Sequence, residues 1–252
     1  MREGKLPDSW KLAGITPIPK KANTVSNDDF RPIALTSILM KCFEQIMKKG
    51  LLSFLKLDEC QFAYKQKRST KDACISLDYF FRSPLKTPSA YARILFVDFS
   101  SAFNTIVPDI LLQKLCDSNV PTYIISFISA FLKNRKQYVT VGEKNSDVLK
   151  CDIGCPQGCV LSPVLFSIYT DFIRATQPNV QLLKYADDMA LIVLLNFQKE
   201  DSSFYFNAVN FFVNQCKSVN LLINASKTKE MVVSFSRLYG IYDHLFIDNN
   251  VI

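Results

Sequence analysis

The order of apolar and polar positions divides the chain into short runs suited to strands and longer stretches suited to helices. Residues 182–186, apolar but for Lys184, and residues 189–193 are runs too short for helices, and Asp187 and Asp188 lie between them. That pattern predicts a β-hairpin with both aspartates at or beside its turn. Residues 92–97 are nearly all apolar and are closed by Asp98, which predicts a buried strand delivering a carboxylate at its end. Residues 15–18, broken by proline, predict an edge strand, and residues 22–29 a polar turn. Lys20 and Arg31 would then stand on the two arms of one hairpin.

Leu39, Phe43, Ile46, Met47 and Leu51 recur at helical spacing. They predict an amphipathic helix that ends near Gly50 and turns this stripe into the core. A basic loop around Arg68 leads into a helix capped by Ser69 or Thr70 and running toward Phe81, and residues 83–89 read as a connecting loop. Pro108 and Pro121 open helices through Leu115 and Leu132. Residues 138–141 and 148–151 predict a hairpin turning at Gly142. Gly154 and Gly158 bracket a loop with unusual backbone freedom, followed by a helix from Pro163 to about Arg174. A helix over 204–216 and strands over 221–224 and 231–233 complete the pattern, with no internal repeat.

Composition narrows the function classes. A chain of 252 residues with 48% hydrophobic and 21% charged residues can bury a full core and is not a disordered tail. The net charge of +7 lies wholly in residues 1–71, which hold 14 Lys and Arg against 7 Asp and Glu; residues 72–252 hold 16 of each. The imbalance suits a basic lobe facing a polyanion, although a solvated basic surface carries the same signature. The start of the chain has no apolar signal segment, and no run reaches the roughly 18 residues of a membrane span. Eight cysteines without a CxxC pair then read as reduced thiols of an intracellular protein. Cys151, Cys155 and Cys159 invite a zinc reading, but their spacing is unusual and the only histidine, His244, is distant in sequence.

Two adjacent carboxylates in an apolar setting are costly, and a divalent cation is the usual relief. A solvated Asp-Asp turn is the plainer alternative. The remaining motifs bear on the choice. Phe96-Val-Asp98-Phe99-Ser-Ser-Ala-Phe103, Gly154-Cys-Pro-Gln157-Gly158-Cys-Val-Leu-Ser-Pro163, Tyr185-Ala-Asp187-Asp188 and Asn224-Ala-Ser-Lys227-Thr-Lys229 stand in that order. With Pro17-Ile-Pro-Lys20-Lys21, Asp29-Phe-Arg31-Pro32-Ile33 and Gln61-Phe-Ala-Tyr64, they resemble a reverse transcriptase of the non-LTR, LINE-type retrotransposons.

The resemblance implies an α+β polymerase right-hand fold, with an antiparallel palm sheet packed on helices and a fingers subdomain. It places fingers at residues 1–95, a palm strand at 96–104, a helical insertion at 105–145 and the rest of the palm at 146–252. It also implies that an endonuclease in front, and the primer grip and thumb behind, are missing. Its activity would be RNA-directed DNA synthesis on an RNA template with a DNA primer and dNTPs, through two Mg²⁺ ions, with Mn²⁺ able to stand in. Asp98, Asp187 and Asp188 would hold the metals, and Lys227 would give a proton to pyrophosphate. Lys20 and Arg31 would hold the triphosphate, Phe103 would exclude a ribose 2′-hydroxyl, and Phe99, Gln157 and Gly158 would lie along the nucleotide. An inactive remnant that only binds nucleic acid is the alternative. RNA-templated RNA synthesis shares the palm logic, but the bulky Phe103 argues against it.

Overall fold

A computed structural model describes residues 6–82, 84–87, 89–197, 202–235 and 242–252. In chain order its principal elements are β1 (Leu12–Pro19), β2 (Phe30–Leu35), α1 (Ile38–Phe54), α2 (Thr70–Arg82), β3 (Ala90–Val97), α3 (Pro108–Asp117) and α4 (Thr122–Leu132). There follow β4 (Arg135–Val141), β5 (Lys144–Asn145), β6 (Leu149–Cys151), α5 (Ser162–Tyr169), β7 (Val180–Tyr185), β8 (Asp188–Asn196), α6 (Ser202–Ser218), β9 (Lys229–Ser234), β10 (Phe246–Ile247) and β11 (Asn250–Val251). Among the described residues no helix is long and apolar enough to cross a membrane.

The chain forms two compact units, Met1–Lys56 with Phe103–Tyr169 and Leu57–Ala102 with Thr170–Ile252. Each draws on two separated stretches, so the limits expected at 95, 104 and 145 are not the limits of these units. Sheet formation is the reason, because each sheet recruits strands far apart in sequence.

The first unit holds a mixed sheet in the order β2-β1-β4, with β5 and β6 also pairing with β4. β1 is therefore central, where its prolines predict an edge. The ladder resolves the conflict. β4 runs parallel to β1 only over Leu12–Ile15, and Pro17 and Pro19 lie beyond it, paired with β2 alone. α1 runs through Gly50 to Phe54, since a Cβ at Gly50 would meet only Ile124 at 3.6 Å. Its buried face is Met40, Glu44, Met47 and Leu51, while Leu39 and Ile46 are exposed. Met47 and Leu51 of the expected stripe are thus buried and the Phe43 ring packs 5.2 Å from that of Phe127, while Met40 and Glu44 replace Leu39 and Ile46 on the inner face, because neighbouring rows of this helix both carry apolar residues.

The second unit is built on the antiparallel sheet β7-β8-β3-β9. Period-2 alternation sends Ile94 to one face and Arg93 to the other. On the Ile94 face, Phe62, Leu183 and Ile192 form a cluster covered by Ala73, Leu77, Phe80 and Phe81 of α2. On the other face Arg93 is 2% exposed and is bonded to both Glu230 oxygens at 2.6 and 3.0 Å, with its guanidinium 3.9 Å from the Tyr205 ring centroid. The helix cap expected at Ser69 is present: its N–H and hydroxyl both donate to the Asp72 carboxylate at 2.7 Å.

Three further expectations change. α5 ends at Tyr169, short of Arg174, and the carbonyls of Thr170, Asp171 and Ile173 all accept from Lys184 Nζ instead of continuing a helix. Residues 221–224 make no strand beyond an isolated bridge between Phe99 and Ile223. Of the loop expected at 83–89, Pro84–Lys86 form a 3-10 turn, and Ser83 and Pro88 lie outside the described residues.

Candidate active site

Asp98, Asp187 and Asp188 belong to one end of the β7-β8-β3-β9 sheet. The ladder between β3 and β8 closes with Val97 against Met189, so one further step sets Asp98 opposite Asp188. Directly opposed residues of an antiparallel pair share a face, with Cβ atoms roughly 5 Å apart. Tyr185 pairs with Asp188, leaving Ala186 and Asp187 as a two-residue turn. Ala186 takes φ 59°, the left-handed conformation that such a turn demands. Main-chain register alone therefore gathers the three carboxylates.

Asp187 and Asp188 are exposed and Asp98 half-buried, in contrast to the apolar setting expected. The Asp188 carboxyl is still pushed above the usual range, first by partial desolvation and then by the charges of Asp187 and Asp98. A bound cation would relieve that crowding. Among the described residues no three His, Cys, Asp or Glu side chains form a group that could by itself hold a metal ion. Mg²⁺ needs no such group, because it is held by one or two carboxylates and completed by water and substrate phosphates. An all-carboxylate, solvent-facing donor set fits that chemistry.

The residues expected near this centre divide. Lys227 Nζ lies 3.8 Å from Asp98 Oδ2, on a turn tied down by the Asn224 N–H donating to the Asp98 carbonyl at 2.8 Å. Phe99, expected along the nucleotide, is 7% exposed and packs into the interior, because its main chain bridges to Ile223. Behind the hairpin, the fully buried Lys184 ammonium sits 2.8 Å from Asp58 Oδ2. Burial pushes the Asp58 carboxyl up, but the Lys184 hydrogen bond and charge outweigh it and hold the group below its usual range.

The remaining expected residues lie in the first unit. Ile18 pairs with Arg31 across the β1–β2 hairpin, and the Lys20 N–H donates to the Asp29 carbonyl at 2.8 Å. Lys20 and Arg31 are exposed. The hairpin end is pinned by Asp29, whose carboxyl the Lys21 ammonium and the N–H groups of Val25 and Ser26 hold down at about 2. The Gln157 carbonyl accepts from the Ala34 N–H at 2.7 Å, which fastens the glycine-bracketed loop to β2. Gly158 has φ 92°, and a Cβ there would sit 3.0 Å from Ile33 Cγ2. Gly154 has φ 78°, and its Cβ would meet Asn104 Cα at 2.8 Å. Neither position accepts a side chain without strain. The Phe103 ring packs 4.9 Å from that of Phe166, and its carbonyl accepts from the Cys155 N–H at 2.8 Å.

Two groups that support this loop carry no sequence signal. Arg135 donates to the carbonyls of Ile153 and Gly154 at 2.6 and 2.8 Å. Glu44, wholly buried and with its carboxyl pushed up by burial, accepts from the Leu161 N–H at 2.9 Å. Between β2, β4 and the loop is a cleft of about 220 Å³ lined by Pro32, Asn104, Arg135, Gln137 and Gln157 among others. Cys155 and Cys159 lie buried in the loop with thiols pushed up to about 12, chiefly by burial.

Residues 18–240 match the family described as reverse transcriptase (RNA-dependent DNA polymerase). The chain belongs to the reverse transcriptase family. Relatives of this reverse transcriptase domain include the probable RNA-directed DNA polymerase from transposon BS of Drosophila melanogaster, 28% identical over 88% of this chain and 26% of the relative. Another is the RNA-directed DNA polymerase from mobile element jockey of the same fly, 26% identical over 89% of this chain and 26% of the relative. The reverse transcriptase domain thus spans about a quarter of these relatives' length. Its fold matches that of telomerase from Candida tropicalis in complex with a fragment of telomeric RNA, at a TM-score of 0.63 and 14% identity over 90% of this chain and 42% of that one. The right-hand polymerase fold expected from the motifs stands.

Proposed function

We propose that this domain is an RNA-directed DNA polymerase that extends a DNA primer on an RNA template with dNTPs. The observation that carries the reading is the register that sets Asp98 opposite Asp188 with Asp187 in the adjoining turn. Two Mg²⁺ ions, or Mn²⁺ in their place, would be held by these carboxylates and, when bound, would acidify the primer 3′-hydroxyl and neutralise triphosphate charge. Lys227, beside Asp98, is placed to give a proton to the departing pyrophosphate. Lys20 and Arg31 offer a point charge and a fork to the triphosphate. Gln157 and Gly158, on a loop held to β2, suit close approach of the nucleotide to main chain. Phe103 is the bulky residue that would exclude a 2′-hydroxyl, and Phe99 supports the strand end from within the core. In this reading the β1–β2 hairpin and its surroundings act as fingers and the carboxylate sheet, β3 included, as palm, within a protein that works inside the cell.

The basic first 71 residues favour a second reading, a nucleic-acid binder without catalysis. Primer extension on an RNA template with Mg²⁺ and dNTPs separates the two. The parent chain should extend the primer and Asp187→Asn should not. A parent that binds the primer–template without extending it would leave the binder.

A further inference from the structure

Tyr64 combines three features that do not suit a structural residue. It is 44% exposed, it takes φ 61°, and its segment is bridged to β7 of the carboxylate hairpin, close enough for Asp187 and Asp188 to act on its hydroxyl. A left-handed conformation is a genuine outlier for a bulky side chain, and such strain gathers where function requires it. Two anchors enforce it. On one side, residues 60–62 run parallel to the free edge of β7: the Lys184 N–H donates to the Cys60 carbonyl and the Phe62 N–H to the Lys184 carbonyl, both at 2.9 Å. On the other, Lys65 Nζ donates to the carbonyls of Leu57 and Asp58 at 3.2 and 2.6 Å. Gln61 bridges to Lys184, so this segment is fastened to β7 one residue before Tyr185 and the carboxylate turn, and Tyr64 follows two residues beyond the Phe62 N–H that donates to Lys184. The Tyr64 hydroxyl is accordingly pushed above its usual range, by burial first and then by Asp187, Tyr185 and Asp188.

The continuation is cationic. Lys67 and Arg68 follow, both exposed, and the Arg68 guanidinium lies 5.5 Å from the centroid of the buried Phe62 ring. An aromatic face followed by two cations is the combination that tracks a nucleic-acid strand, stacking on a base or sugar and neutralising phosphates. Beside three carboxylates those cations matter twice, because a polyanion approaching Asp98, Asp187 and Asp188 is otherwise repelled. We propose that Tyr64 is a primer-strand contact, its ring receiving the 3′-terminal nucleotide while Lys67 and Arg68 neutralise the phosphates behind it. The proposal rests on the polymerase reading, which places the primer 3′-hydroxyl at these carboxylates.

The test compares the parent chain with Tyr64→Ala, Tyr64→Phe and Tyr64→Gly. It measures the Kd for a labelled DNA primer annealed to an RNA template with Mg²⁺, the Kd for the RNA strand alone, and the melting temperature. Tyr64→Ala should weaken the primer–template complex on the order of tenfold and the RNA strand alone less than twofold, and Tyr64→Phe should keep the parent's affinity. Tyr64→Gly is the sharper variant, because glycine adopts the left-handed conformation freely. It should lose affinity as Tyr64→Ala does while its melting temperature holds or rises. Equal losses on both nucleic acids would overturn the primer assignment. A fall in melting temperature with unchanged affinity would make Tyr64 a packing residue. A parent with no affinity for either nucleic acid would overturn the polymerase reading itself, and this inference with it.

Discussion

The carboxylate end of the β7-β8-β3-β9 sheet and the loop bracketed by Gly154 and Gly158 are both irregular ends of ordered structure, yet they are held in different ways. The carboxylates are set by ladders, in which Val97 faces Met189 and Tyr185 faces Asp188, and no side chain is needed to aim them. The loop has no ladder. Its main chain is satisfied piece by piece, from the Ala34 N–H, the Phe103 carbonyl, the Arg135 guanidinium and the Glu44 carboxylate. The difference teaches that the two regions should fail differently. The ladder-set centre should tolerate changes to its chemistry and suffer from damage to its buried anchor. The loop should suffer from small changes in its own backbone.

The largest effect on stability is expected at that anchor. Lys184→Met leaves Asp58 with only the half-exposed Arg174, 3.8 Å away, and frees three carbonyls, and should cost about 3 kcal/mol in urea unfolding. The pH dependence follows from Asp58. Its folded pKa is depressed, so the stability it contributes is present above the ordinary value of 3.8 and is lost as pH falls through the lower folded value. Asp58→Asn should flatten that acid limb. If Lys184→Met unfolds at the parent's urea midpoint, the ladder needs no anchor and the contrast between the regions weakens.

A smaller loss is expected in the loop. Gly154→Ala must bear a left-handed φ and a Cβ 2.8 Å from the Asn104 main chain, and should cost about 2 kcal/mol. Gly142→Ala has a comparable φ of 60° but meets nothing within 4 Å, and should cost about 1 kcal/mol. Equal unfolding midpoints for the two variants would show that the loop yields and is not held as described.

The smallest effect has the opposite sign. Asp188→Asn removes a charge facing Asp187 and Asp98 and should stabilise the metal-free chain by about 0.5 kcal/mol at neutral pH. The Asp188 pKa is raised on folding, so its repulsion is absent below the ordinary value of 3.8 and grows as pH rises through the folded value. The advantage of Asn should therefore vanish in acid. Mg²⁺ should raise the melting temperature of the parent more than that of the variant. A variant less stable than the parent in chelator would show that the carboxylates do not repel.

Legibility followed the same division. The hairpin at Asp187 and the strand ending at Asp98 were readable because a period of two and short apolar runs are local signals, and the ordered motifs identified the fold. Glycines at 154 and 158 were readable for the same reason, since a positive φ is a local demand. The α1 face is legible at Met47 and Leu51 but not at Met40 and Glu44, because adjacent rows at helical spacing both carry apolar residues and only packing selects between them. α5 was overextended because nothing local announces that the carbonyls beyond Tyr169 are taken by a lysine far along the chain.

By itself, then, the sequence determined the strands, their turns and the carboxylates they end in, because those depend on neighbours along the chain. Only the tertiary structure decided which polar groups are spent inside. Lys184 on Asp58, Arg93 on Glu230 and Glu44 on Leu161 pair groups separated by more than a hundred residues. A buried charge is stable only where a partner meets it, and where that partner stands is a property of the folded chain.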